Sequence, residues 1–188
     1  MNITSAVFMR GVKGDNEILE DGTPQIAFIG RSNVGKSSLL NSLTNSKKLA
    51  RASKTPGRTQ EMNVFLINDT HYFMDLPGYG FAKTKMKVME KLSKLIAWYL
   101  FHSKHNPRVV LLVDANIGPT VDDLEMLQAL EEDEKDVVIV LNKIDKVKKS
   151  SRRQHIEKLK EKFFGHKVFP YSSKTKEGRE ELSDELLG

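Results

Sequence analysis

The chain has 188 residues, no cysteine and a formal net charge of +5. A domain of that length buries about 70% of its unfolded surface and folds without a staple, while the missing thiols exclude a disulfide framework, a cysteine–zinc cluster and thiol catalysis. The longest apolar run, residues 95–101, is far shorter than the ~20 residues of a membrane span, and the first residues show no basic start followed by an apolar block; one cytoplasmic domain over residues 1–188, with no membrane partner, is expected.

Short apolar runs alternate with longer amphipathic stretches, the pattern of strands interleaved with helices. The first clear strand is Gln25–Gly30 (QIAFIG), whose continuous apolar content suits burial on both faces. It runs into Gly30-Arg31-Ser32-Asn33-Val34-Gly35-Lys36-Ser37, which fits G-x-x-x-x-G-K-[ST] and leads into a helical stretch, Lys36–Thr44. The glycines let the backbone curl so that successive N–H groups face phosphate oxygens, and the helix adds its positive N-terminus. Lys36 is expected to reach the β- and γ-phosphates and the Ser37 hydroxyl to ligate Mg²⁺, with Ser38 counted among the phosphate-binding residues. A plain glycine-containing turn fits the same letters, but the placement between strand and helix favours the phosphate reading.

Ser46–Glu61 is long, polar and poor in strand signal, which in a compact domain marks a functional or disordered loop. Two strands follow, Met62–Asn68 and His71–Leu76, joined at Asn68-Asp69 as an antiparallel hairpin. Asp75-Leu76-Pro77-Gly78 closes the second: Asp75 is expected on the Mg²⁺ side, acting through water, and the Gly78 N–H as a γ-phosphate sensor. Alone, these are ordinary turn residues. In the helical stretch Val88–Ser103, Leu92, Leu95, Ile96, Tyr99 and Leu100 recur at three- and four-residue steps and form a core-facing stripe.

The strand Val109–Asp114, the helix Val121–Glu132 and the strand Val137–Asn142 come next. Asn142-Lys143-Ile144-Asp145 ends the last of these, at the carboxyl edge of the sheet where nucleotides bind in open α/β folds. The Asp145 carboxylate can accept hydrogen bonds from the guanine N1–H and exocyclic amine, neither of which adenine offers. Asn142 either contacts the imidazole side of the base or ties loops together, and the Lys143 stem is expected along the ring face. After the helix Ser151–Phe163 and the strand Val168–Tyr171, the run Tyr171-Ser172-Ser173-Lys174 can offer the Ser173 N–H to the guanine O6, before a last helix, Gly178–Leu187. Taken singly, these two motifs also read as a polar strand end and a helix cap.

The four elements, in this order at strand ends, form the pattern of a Ras-like P-loop GTPase domain. The expected fold is α/β, a six-stranded, mostly parallel sheet with one antiparallel strand and helices on both faces, and the expected ligands are GTP or GDP with Mg²⁺. An ATPase or a P-loop nucleoside kinase would leave N-K-x-D without a use.

Asp75-Leu76-Pro77-Gly78-Tyr79-Gly80-Phe81-Ala82-Lys83 goes further. With Pro56-Gly57-Arg58-Thr59-Gln60 and the run from Val113 to Asp123, it resembles the EngB family of ribosome-assembly GTPases, in the TrmE-Era-EngA-EngB group, from about Ala6 to Leu187. The resemblance implies GTP hydrolysis, Mg²⁺ held through Ser37 and Thr59, nucleotide contacts from Gly57 and Arg58, a switch I over 46–61 and a switch II over 78–87. It also implies a monomer acting on the large ribosomal subunit or its precursor. The family often carries T-K-x-D; Asn142 here follows the commoner GTPase pattern.

Lys36, Thr59 and Gly78 are the expected catalytic groups. Ras-type enzymes carry a water-orienting glutamine after the glycine of Gly78, and this chain has Tyr79, whose phenol cannot play the two-handed amide role. Slow hydrolysis, on the order of 10⁻⁴–10⁻³ s⁻¹, is expected. Asn33 stands where related GTPases use an asparagine to help hold K⁺ beside the phosphates, which would neutralise charge developing on the phosphoryl group; the alternative is a loop asparagine bonded to its own backbone.

Charge is uneven. Residues 146–162 carry eight basic and two acidic side chains, residues 122–136 eight acidic and one basic, and Lys47, Lys48, Arg51, Lys54 and Arg58 add five cations to switch I. A solvated helix face explains the first run as well as RNA contact does. Switch I is the better candidate, because its conformation would follow the γ-phosphate. Structured RNA bound through its backbone is the expected partner, against a signalling switch that recruits a protein effector.

Overall fold

The computed structural model describes residues 2–46, 48–50, 61–80 and 94–188. The strands are β1 (Ala6–Val12), β2 (Gln25–Gly30), β3 (Met62–Ile67), β4 (His71–Asp75), β5 (Arg108–Asp114), β6 (Val137–Asn142) and β7 (Lys167–Pro170). They form one sheet in the order β1-β3-β4-β2-β5-β6-β7. β3 runs antiparallel to both its neighbours, and β4, β2, β5, β6 and β7 are mutually parallel. The fold class is the expected one, with a correction: seven strands, not six. β1 escaped the sequence reading because it is an edge strand with a bulge between Phe8 and Arg10. Val7 and Phe8 are half exposed, at 52% and 51%, so no clean buried-face alternation marks it.

The helices among the described residues are α1 (Lys36–Leu43), α2 (Lys94–Ala97), α3 (Val121–Glu132), α4 (Arg152–Glu161) and α5 (Arg179–Leu187). α2 continues as a π turn, Trp98–His102. The expected helix Val88–Ser103 is thus present over its described part; residues 88–93 lie outside the described residues.

Continuous apolar strands give the sheet two buried faces. On β5, Val109, Leu111 and Val113 point to one core and Val110 and Leu112 to the other; β6 divides in the same way. The first core takes Ile96 of α2, Tyr99 and Leu100 of the π turn, Met126 and Leu130 of α3, and Ile156 and Leu159 of α4. The second takes Leu39, Leu40 and Leu43 of α1 and Leu182, Leu186 and Leu187 of α5. Each fully buried aliphatic side chain contributes about 1.5–3 kcal/mol, enough to hold the parallel strands in register and fix where their carboxyl ends lie.

The hairpin between β3 and β4 has Asn68 at φ +49° and Asp69 at φ +57°, and Thr70 N–H donates to the Ile67 carbonyl at 3.0 Å. Two successive left-handed residues make the tight turn whose twist matches the strands. The Asn68 Oδ1 also accepts from the Thr4 and Ser5 amides at 2.8 and 3.1 Å.

α5 is held to the sheet by charge. The Glu185 carboxylate accepts from Lys167 Nζ at 2.8 and 2.9 Å and pairs with the Arg108 guanidinium, which also donates to the Glu185 carbonyl at 2.7 Å. Burial works to raise this carboxyl's pKa, but the hydrogen bonds and charges of Lys167 and Arg108 outweigh it and lower the pKa below 4.5. A carboxyl with a depressed folded pKa stabilises above its unfolded pKa, and the contribution is lost as pH falls through the folded value. Glu185→Gln is therefore expected to cost about 1–2 kcal/mol at neutral pH, with the gap to the parent closing below pH 4.5. Urea unfolding across a pH series measures this; a gap that persists in acid would contradict it.

Candidate functional site

The carboxyl ends of β2, β4, β5 and β6 meet at one edge of the sheet. β2 reaches that edge because Gly30 lies against β5: a Cβ there would sit 2.9 Å from the Leu112 carbonyl oxygen. Past Gly30 the backbone bridges to the segment after β4. Ser32 N–H donates to the Tyr79 carbonyl at 3.0 Å, and Tyr79 N–H to the Gly30 carbonyl at 3.3 Å. Arg31 and Tyr79 form a parallel bridge. This holds Gly78 beside the loop, where a Cβ would lie 3.0 Å from Ser32 Oγ.

The loop then turns through Asn33 at φ +64° and Gly35 at φ +102°, and Val34 N–H donates to the Arg31 carbonyl at 3.1 Å. The amides of Ser32 and Val34 are thereby spent inside the protein. Gly35 caps α1 with no side-chain hydrogen bond, so the amides of Gly35, Lys36, Ser37 and Ser38, the orphan donors of a helix start, have no hydrogen-bond partner among the described residues. Below them, Lys36 Nζ pairs with the Asp75 carboxylate, and both side chains are largely buried, at 13% and 7% exposure. Unsatisfied amides, an ammonium and a carboxylate at one helix start can accept a polyphosphate together with its cation: the amides and Lys36 suit the anion, and Ser37 and Asp75 suit a hard oxygen-seeking ion. Leu76 is buried beneath, its N–H donating to the Phe28 carbonyl at 3.2 Å, and Pro77 leads on to Gly78.

The other half of the site comes from β6. Asn142, buried at 1% exposure, donates Nδ2 to the Val34 carbonyl at 3.0 Å and accepts from Ser173 Oγ at 3.2 Å. Of the two expectations for Asn142, the structure displays the loop tie. Lys143 sits at φ +66°, and its Nζ donates to the Asn33 carbonyl at 2.8 Å and to Asp114 Oδ2 at 2.7 Å. Its stem thus spans from β6 to the phosphate loop. Asp145 accepts from Ser172 Oγ at 2.8 Å, which aims the carboxylate; Ser172 Oγ also accepts from the Thr175 amide at 3.1 Å, and Lys174 is exposed on the same turn.

Two partners were not singled out from the sequence. Asp114 closes β5 opposite Asn142 of β6, and its other oxygen accepts from the Asn116 amide at 3.0 Å; an aspartate at the end of a buried strand was the available signal. Asp123 accepts from the Tyr79 hydroxyl at 2.8 Å and, through its second oxygen, from Thr120 N–H and Oγ1 at 2.9 and 2.8 Å. Burial first, then the charges of Asp123 and Asp122, push the Tyr79 phenol well above its ordinary pKa, so it stays a neutral donor.

Gly57, Arg58 and Thr59, most of switch I with Lys47, Arg51 and Lys54, and residues 81–87 of switch II lie outside the described residues.

The phosphate loop tolerates no side chain at Gly35. A Cβ would stand 2.5 Å from Asn142 Nδ2 at a backbone angle that L residues rarely adopt. Gly35→Ala is expected to lose at least about 1–2 kcal/mol of stability and most of the affinity for GDP, read by thermal melting and nucleotide titration. A variant that melts and binds like the parent would overturn this account of the loop.

Residues 25–143 match the family model described as 50S ribosome-binding GTPase, and residues 107–188 match the GTP-binding domain of elongation factor Tu. The probable GTP-binding protein EngB of Acholeplasma laidlawii is 41% identical over 98% of this chain and 97% of its own. The protein of the same name from Fusobacterium nucleatum is 43% identical over 97% and 95%. Among solved structures, a probable GTP-binding protein EngB superposes with a TM-score of 0.66 at 31% identity, over 85% of this chain and 95% of that one. Era, in complex with MgGDPNP and nucleotides 1506–1542 of 16S ribosomal RNA, follows the fold with a TM-score of 0.64 at 26% identity, over 87% of this chain and 55% of that one.

Proposed function

Because the chain belongs to the EngB family of GTP-binding proteins, we propose that it is a GTP-hydrolysing assembly factor for the large ribosomal subunit, acting in the cytoplasm as a single, monomeric G domain. One observation carries the nucleotide part: the unspent amides of Gly35 to Ser38, the Lys36–Asp75 pair and the Asp145 carboxylate converge on one sheet edge, joined by Asn142 and Lys143. In this reading the amides and Lys36 hold the β- and γ-phosphates, Gly78 N–H senses the γ-phosphate, and Asp145 with the Ser173 amide selects guanine. Ser37, Thr59 and, through water, Asp75 would hold Mg²⁺. When bound, Mg²⁺ supplies charge neutralisation across the phosphate oxygens.

Slow hydrolysis follows from Tyr79. Its side chain is fully buried and its hydroxyl is engaged by Asp123, so it stays in the core and leaves the attacking water without a positioning side chain from this residue. K⁺ held through Asn33 belongs to the same proposal. The Asn33 side chain is exposed and has no hydrogen-bond partner among the described residues, which leaves the own-backbone alternative without support. Hydrolysis is expected to run faster in KCl than in NaCl at matched ionic strength; equal rates would remove the cation from the mechanism.

The ribosomal part rests on the family and on surface charge. Lys146, Lys148 and Lys149 before α4, Arg153 and Lys158 on it and Lys162 at its end are all exposed, cationic charge suited to phosphate backbones. The test is co-sedimentation with large subunits and their precursors at about 0.15 M salt, a condition in which nonspecific backbone contacts are weakened. Association with a non-hydrolysable GTP analogue but not with GDP is expected. No association in either state would overturn the ribosomal reading and leave a switch with a protein effector.

A further inference from the structure

At the opposite edge of the sheet from the nucleotide site, two connections meet. The segment between β1 and β2 carries Asp15 and Glu20 around a short 3₁₀ turn, Glu17–Leu19, and the segment between the π turn and β5 carries His105. Both lead into neighbouring parallel strands, with Ile26 of β2 opposite Arg108 of β5, so their approach is fixed by the sheet. One oxygen of Asp15, one of Glu20 and one ring nitrogen of His105 lie within 4.8 Å of one another. His105 is 8% exposed, and its Nε2 is buried with no hydrogen-bond partner among the described residues. A buried ring nitrogen without a partner costs free energy that a ligand would return.

We propose that Asp15, Glu20 and His105 form a binding site for a first-row divalent cation of the Zn²⁺ type, separate from the nucleotide's Mg²⁺. The donor set of one imidazole and two carboxylates suits Zn²⁺ and its neighbours better than Ca²⁺ or Mg²⁺, which favour all-oxygen sites. The imidazole packs against two aromatic rings: Trp98 lies nearly perpendicular to it with the ring centres 6.0 Å apart, and the Tyr99 ring lies 6.1 Å away. The two carboxylates are exposed, so they can close by the small distance that coordination needs. Asp15 follows Gly14, around which a Cβ would meet nothing within 4 Å. The present partner of Glu20 is Lys104 Nζ at 2.9 Å, on a side chain that is 70% exposed; an ion pair so open to water contributes little and yields to a divalent ion. Bound there, the cation ties the β1–β2 connection to the end of the π turn.

The experiment uses the full chain, loaded with GDP in excess Mg²⁺ and titrated with Zn²⁺ by calorimetry and by fluorescence. Trp98 is the only tryptophan in the chain and touches His105, so it reports binding at this site and not at the nucleotide. One equivalent bound with micromolar affinity and a change in Trp98 emission is expected. Asp15→Asn and Glu20→Gln should each weaken binding by about tenfold or more, and Lys104→Ala should tighten it by removing the competitor. His105→Gln should abolish it; should that variant fail to fold, the two surface carboxylate variants decide. Absence of saturable binding, or binding indifferent to Asp15→Asn and Glu20→Gln, would overturn the proposal.

Discussion

The candidate site depends on one buried amide. Asn142, the last residue of β6, reaches over the sheet edge and donates to the Val34 carbonyl, so the phosphate loop is fastened to a strand with which it shares no ladder. A buried hydrogen bond of this kind contributes about 1 kcal/mol net, but leaving the carbonyl unpaired would cost more. The amide needs room, and Gly35 supplies it by having no Cβ where Asn142 Nδ2 lies. Lys143 repeats the tie one residue later, through the Asn33 carbonyl and Asp114. Asn33 and Lys143 both sit at positive φ, a conformation costing roughly 1–2 kcal/mol for a residue with a side chain. Strain on both sides of one junction, offset by the bonds that the junction makes, is the usual mark of a geometry held for a ligand.

How much of this was legible in the sequence follows from what each part depends on. β2, β5 and β6 are buried on both faces, and their unbroken runs of Val, Ile and Leu declare it; α3 runs from Val121 to Glu132, the bounds the sequence predicts, and the structure adds a capping box between Thr120 and Asp123 at its start. The motifs place Lys36, Asp75, Asn142 and Asp145 because local spacing and strand ends suffice. β1 was missed because an edge strand with an exposed, bulged face carries no periodic signal. The Asn142–Val34 and Lys143–Asp114 contacts join residues 108 and 29 positions apart, and nothing local announces such pairs. The choice between a base contact and a loop tie for Asn142 therefore could not be made from the letters.

Acidic charge shows the same divide between composition and use. Residues 122–136 carry eight acidic side chains and one basic, yet Asp123 among them is 2% exposed and both its oxygens are engaged. A carboxylate that is buried must be bonded on all sides to be tolerated, and here the bonds come from Thr120 and Tyr79. The capping box and the anchor are one device: the aspartate that starts α3 also receives the phenol.

That device bears on how a phosphate signal would travel. Gly78 and Tyr79 are adjacent, and Tyr79 is tied at both ends, its backbone to the phosphate loop and its hydroxyl to the start of α3. Any displacement of Gly78 toward a γ-phosphate would be resisted by a fully buried ring, because the interior cannot deform continuously around it. The tyrosine commits the position to packing and links Gly78 and the loop after β2 to a helix on the face of the sheet.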